Sequence, residues 1–190
     1  MHCALSQWAS RRLWRTRCFF TSPLVVGAAI RWIRDNAAAH GIDPKRIFAM
    51  GHSAGAVHLA SYLADKGAGD ALLAGAILGS GMYDLESRKP APNILAYYGE
   101  DIAKFRERSP IYGLQQSQVP LLIFVSELDS ADFQEQGLKL IQALFERNGK
   151  LPRFMRLYGH NHYSPTMHIN AGDDQDALSN QILDFVANGH

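Results

Sequence analysis

Cysteine is nearly absent: Cys3 and Cys18 are the only two in 190 residues. Two thiols make no disulfide framework, which sets the expectation of a reducing cytoplasm. An excess of one charge is missing as well. Lysine and arginine number 19 against 18 aspartates and glutamates. So even a balance gives no electrostatic reason to expect a nucleic-acid or acidic-lipid partner. No apolar run approaches the roughly 20 residues that span a bilayer, so no membrane partner is expected. There is no internal repeat and no low-complexity segment. What remains is a chain with 47% hydrophobic residues, enough for one packed domain and too short for two ordinary ones.

The first 22 residues, MHCALSQWASRRLWRTRCFFTS, hold four arginines and no acid, and follow no clear period. Such a composition suits an organellar transit peptide, but the amphipathic stripe of one is missing; a truncated or misread beginning is the preferred reading. The expected layout is an irregular segment over 1–22 and one domain over 23–190. Within that domain Ser22 reads as a helix N-cap and Pro23 as the first helical residue. Leu24, Val25, Ala28, Ala29, Trp32 and Ile33 supply an apolar side, and Gly41 a stop. RIFAM (46–50), ALLAGAILGS (71–80) and VPLLIFVSE (119–127) read as buried strands, and RFMRLYG (153–159) as a fourth strand. Helices are expected from Ser53 to Lys66 with a stop at Gly67, over 132–149 with Phe133, Leu138, Ile141, Leu144 and Phe145 inward, and over 174–189. Strands alternating with helices predict a layered α/β domain with a mostly parallel sheet. The stretch 81–118 is irregular apart from a short helix near 100–107, and an excursion of that size usually serves function.

The sequence GHSAG (51–55) stands between the first strand and the second helix. In that context G-x-S-x-G is a sharp turn that lifts a serine above the carboxyl end of a strand. Gly51 and Gly55 keep side chains out of the turn. Ser53 then sits at the amino end of the helix, where the N–H of Ala54 and the helix dipole can face an oxyanion. A serine hydroxyl needs a base, and the base needs an orienting acid. Asp129 follows the third strand, and His160 and His162 follow the fourth. The order serine, acid, histidine at successive strand ends is one of the known orders of the hydrolytic triad.

Together with GSGMYDL (79–85), RSP (108–110), PLLIFVSELD (120–129) and GHNHYS (159–164), these segments resemble the α/β-hydrolase superfamily. The similarity lies in its esterase/lipase branch, which includes bacterial carboxylesterases and arylformamidases. The resemblance implies a three-layer α/β fold. It also implies Ser53 as nucleophile, Asp129 as orienting acid, His162 as base and Ala54 as an oxyanion-hole donor, with Gly51, His52 and Gly55 forming the elbow. The substrate would be a small-molecule ester or amide. Asp132 competes with Asp129 and reads better as the cap of the following helix; His160 competes with His162. His52 reads as structural. His160, His162 and His168 have no acidic or cysteine partner, so neither metal nor cofactor is expected.

Members of that superfamily carry an HGG-type loop after an early strand, which supplies a second oxyanion donor. The 190 residues contain no such segment, and only four strands can be read. The early strands and the oxyanion loop are therefore expected to be missing. The consequences would be weakened activity, an open sheet edge, and exposed apolar helix surface near Trp32 and Ile33. Such an edge favours self-association, and a homo-oligomer is a possible partner state.

Overall fold

A computed structural model of the chain describes residues 11–65, 72–87 and 91–188, with 11–22 given as helical backbone. Cys3, Lys66, Gly67 and the Cys18 side chain lie outside this description. Four strands, β1 (Phe48–His52), β2 (Gly75–Gly79), β3 (Leu121–Ser126) and β4 (Arg153–Leu157), form one sheet in the order β1-β2-β3-β4. Every pair is parallel, with Ile77 opposite Leu122 and Ile123 opposite Phe154. The longer helices are α1 (Arg11–Asn36), α2 (Ala54–Ala64), α6 (Ala131–Asn148) and α8 (Ser179–Asn188). Between them lie the short α3 (Pro92–Tyr98), α4 (Phe105–Arg108), α5 (Pro110–Leu114) and α7 (Ser164–Met167).

The sheet lies in the middle of three layers. Side chains alternate across a strand, so neighbouring residues enter opposite cores. Ala76, Leu78 and Ile123 join Ile30, Leu59, Leu63, Leu114, Leu140 and Leu144 from the helices of one side. Ile77, Leu122, Phe124 and Leu157 meet Leu178 and Phe185 on the other. Strands added one after another in a single direction place their right-handed crossovers on the same face, which puts α2 and α6 together. All four strands point their carboxyl ends the same way. Ser53, Asp129 and His162 follow the ends of β1, β3 and β4.

Several expectations change. The first helix begins at Arg11, so Ser22 is no cap and Pro23 lies inside the helix, where it removes one backbone hydrogen bond. Gly41 is left-handed, with φ 65°, and ends the 3₁₀ turn Ala37–His40 that follows. On α1, Leu24 and Val25 are turned outward, whereas Gly27 and Ile30, and Ala37 just beyond the helix, are buried; Trp32 is exposed, in line with the apolar helix surface expected there, and Ile33 is half-buried. A close approach explains this choice. A Cβ on Gly27 would lie 2.8 Å from the Tyr62 ring of α2, so the helix packs by its smallest residues. In α6 Leu138 and Phe145 likewise face outward, because Gln136, Gly137, Leu140, Ile141 and Leu144 form the buried stripe. The 81–118 excursion contains α3, α4 and α5 instead of one short helix. Among the described residues β1 pairs only with β2, and Met50 on it is exposed. No described helix is long and apolar enough to cross a membrane.

Candidate active site

β1 ends at His52 and α2 begins at Ala54, leaving Ser53 alone to reverse the chain. It does so at φ 53° and ψ −121°, a conformation that a residue with a side chain adopts only under constraint from its surroundings. One constraint is Gly51: a Cβ there would lie 2.4 Å from the Gly55 carbonyl oxygen and 2.7 Å from the Ala56 nitrogen. The expectation for Gly55 is corrected, since a Cβ at that position meets nothing within 4 Å. The two glycines of the motif therefore differ in kind. Gly51→Ala should destabilise the fold by about 1–3 kcal/mol through forced backbone displacement, whereas Gly55→Ala should leave it unchanged or slightly raised, alanine being the better helix residue. Urea unfolding midpoints test this; equal losses would mean that the Gly51–Gly55 contact does not set the elbow.

Ser53 Oγ lies 2.8 Å from His162 Nε2, and His162 Nδ1 lies 2.6 Å from Asp129 Oδ1. The three side chains thus form one hydrogen-bonded chain across residues 109 and 33 positions apart in sequence. The Asp129 side chain is fully buried. Its Oδ2 accepts from the Ser126 N–H at 2.8 Å and from the Ser80 hydroxyl at 2.6 Å. Both donors meet on Oδ2 and leave Oδ1 to His162. Ala54 is the first residue of α2, so its N–H has no partner within the helix and stands beside Ser53.

The rival residues lie elsewhere. Asp132 is exposed in the first turn of α6, and Ser130, not Asp132, occupies the N-cap position. His160 is buried with its Nδ1 3.0 Å from the Ser164 hydroxyl, while His168 Nδ1 lies 2.8 Å from Asp173. The three histidines of this region therefore turn to three different partners. His52 packs its ring parallel to Phe124 and touches that of His162, with centroids 4.7 Å apart. Burial pushes its pKa below the usual histidine value, and the His162 charge adds to the effect. His52 thus favours its neutral form beside His162.

Two contributors make contacts that the sequence does not reveal. Phe133, expected in the α6 core, instead stacks on His162 with centroids 4.3 Å apart and ring planes 22° apart. The RSP segment ties the excursion down: the Arg108 guanidinium donates to the Tyr98 carbonyl, and the Ser109 hydroxyl links the Leu85 N–H to the Phe105 carbonyl. These ties fix α3 over a cavity of about 210 Å³ beside Ser53 and Ala54. Val57, His58, Met82, Asn93, Ile94, Tyr97, Tyr98 and Phe133 complete its walls. The Tyr97 hydroxyl lies 3.0 Å from His58 Nδ1, and burial lowers the pKa of His58. A larger hollow of about 1000 Å³ lies between α1, α2 and the 103–113 segment, but Ser53, Asp129 and His162 do not line it. The smaller cavity is the one that Ser53 and Ala54 line.

Solved structures with this fold include a truncated form of a carbohydrate esterase from gut microbiota, with 21% identity and a TM-score of 0.67 over 86% of this chain and 66% of that one. A hyperthermophilic esterase from the archaeon Pyrobaculum calidifontis is 17% identical, with a TM-score of 0.66 over 85% of this chain and 57% of that one. A puromycin-hydrolysing peptidase of Mycobacterium tuberculosis is 21% identical, with a TM-score of 0.62 over 80% of this chain and 24% of that one. The chain thus spans little more than half of the archaeal esterase and a quarter of the peptidase. No curated protein sequence matches it. At these identities the likeness establishes the α/β-hydrolase fold, and the narrower placement comes from the sequence profile of the prolyl oligopeptidase family. That profile matches residues 28–189, and the chain belongs to this family.

Proposed function

We propose that the chain carries the reactive centre of a serine hydrolase that opens carboxylic esters through an acyl-enzyme on Ser53. The observation that carries this reading is the unbroken chain from Ser53 Oγ through His162 to Asp129, with links of 2.8 and 2.6 Å. With its Nδ1 proton donated to Asp129, His162 presents a free Nε2 lone pair to the Ser53 hydroxyl. Ser53 Oγ attacks the carbonyl carbon as His162 takes its proton, and the charge that develops on oxygen faces the Ala54 N–H. Collapse expels the alcohol, which receives the proton from His162. Water, deprotonated by the same nitrogen, then attacks the acyl group and releases the acid. The apolar and aromatic walls beside Ser53 suit an uncharged group of the substrate.

Ester is preferred to amide on chemical grounds. An amine leaves less readily than an alcohol, so amide cleavage depends more on oxyanion stabilisation and on protonation of the leaving group, and an ester is the easier substrate for the Ala54 N–H beside Ser53. The amide reading, including arylformamidase-like hydrolysis, is favoured by the prolyl oligopeptidase profile. A non-catalytic remnant is the reading from another class. Turnover of a short aromatic ester against its matched anilide separates the three. The ester should be cleaved at least about 100-fold faster, with Ser53→Ala inactive on both. Faster anilide cleavage would overturn the ester assignment, and a folded chain inert to both would favour the remnant.

A further inference from the structure

Ser80 follows β2 directly and is 1% exposed, with φ 45°. Only Ser53, Ser80 and Asn170 combine a side chain with positive φ among the described residues, and Ser53 is the proposed nucleophile. Glycine would adopt this conformation without steric penalty. The turn is flanked by glycines, and both are tightly packed. A Cβ on Gly79 would lie 2.0 Å from the Phe124 ring, and one on Gly81 would lie 2.6 Å from the Tyr83 hydroxyl. The Ser80 N–H is anchored to the Phe124 carbonyl of β3 at 2.9 Å. A packed left-handed turn that bears a serine in place of glycine directs attention to the hydroxyl.

That hydroxyl donates to Asp129 Oδ2 at 2.6 Å. The Ser126 N–H reaches the same oxygen at 2.8 Å, while Oδ1 faces His162 at 2.6 Å. A buried carboxylate with both oxygens equally free could rotate or offer either one to the imidazole. Two donors on Oδ2, one from the turn after β2 and one from β3, remove that freedom. We propose that Ser80 is a positioning residue for the hydrolytic reaction, holding the second oxygen of Asp129 so that the first is aimed at His162. This inference rests on the serine-hydrolase reading above. It assigns to the strand end between those of Ser53 and Asp129 a part in the chemistry.

Two variants separate this role from a structural one. Ser80→Ala removes the hydroxyl and keeps the backbone strain; Ser80→Gly removes the hydroxyl and relieves it. Both are expected to fold, with the Tm of the glycine variant at or above that of the alanine variant. In both, kcat for the ester should fall roughly 10- to 100-fold, the scale of one lost hydrogen bond to a charged group, with KM changed less than about threefold. The low-field proton resonance of His162 Nδ1–H should shift upfield or broaden in both. A glycine variant with wild-type kcat and an unmoved low-field proton would overturn the proposal, because only backbone shape would then matter at this position. It would equally fall if neither variant folded, since Ser80 would then belong to the core. Undiminished hydrolysis by Ser53→Ala would instead overturn the underlying reading.

Discussion

Replacement of Ser53 by alanine is expected to lower ester hydrolysis by on the order of 10⁴- to 10⁶-fold, down to whatever the cavity and the Ala54 N–H achieve alone. The upper figure is the loss on removing the nucleophile in a well-studied serine protease, and the lower allows for a wild type with a slower rate of its own. The fold should survive, because the Ser53 hydroxyl has His162 as its partner and the surrounding contacts are made by Gly51, Gly55 and the backbone of β2. Alanine must still occupy φ 53°, which limits the change to a modest shift in stability. Steady-state rates together with a thermal melt test both halves. Loss of rate with loss of fold would leave no case for Ser53 as nucleophile over Ser53 as scaffold.

Asp129→Asn should rank second, with kcat lowered about 10⁴-fold, the size seen when the corresponding acid of a serine protease becomes an amide. The cause is the tautomer. An asparagine NH₂ facing His162 donates where a carboxylate accepts, so the imidazole turns its lone pair toward position 129 and its proton toward Ser53. If the amide oxygen instead faced His162, the NH₂ would oppose the Ser80 hydroxyl and the Ser126 N–H, which both donate to that site. Neither orientation satisfies every partner. Asp132→Asn is exposed in the first turn of α6 and should stay within a few-fold of wild type. Equal effects at 129 and 132, read from kcat on one ester, would contradict the assignment.

The parts of the site that could be read from sequence are those where local spacing carries geometry. Ser53 and Ala54 were legible because a strand, five residues and a helix define the elbow by themselves. Asp129 and His162 were legible because each follows an apolar run by a few residues. Contacts made between distant segments were not. Ser80 meets Asp129 across 49 positions, and Gln136 accepts from the Tyr83 N–H across 53; neither leaves a periodic trace. Burial of Gln136 also explains the misplaced face of α6. Its side chain secures the loop after β2 through the N–H groups of Tyr83 and Asp84 and the Asp84 carbonyl. The inward stripe is therefore rotated away from Leu138 and Phe145. Apolarity likewise misdirected the reading of α1, because closeness to Tyr62 favours Gly27 over larger neighbours. Phe133, at an inward position by periodicity, is half-buried and packs against His162 instead of the sheet. Fold class needed only the alternation of strands and helices, so it could be read before any of these contacts.

The most direct test is to expose the folded chain to a fluorophosphonate and to map the adduct by peptide mass spectrometry. A single phosphonyl group on Ser53 is predicted, formed rapidly in the wild type and slowed by orders of magnitude in His162→Ala, which keeps the hydroxyl but loses its base. An adduct on any other serine, or labelling of Ser53 at the same rate without His162, would contradict the proposed chemistry.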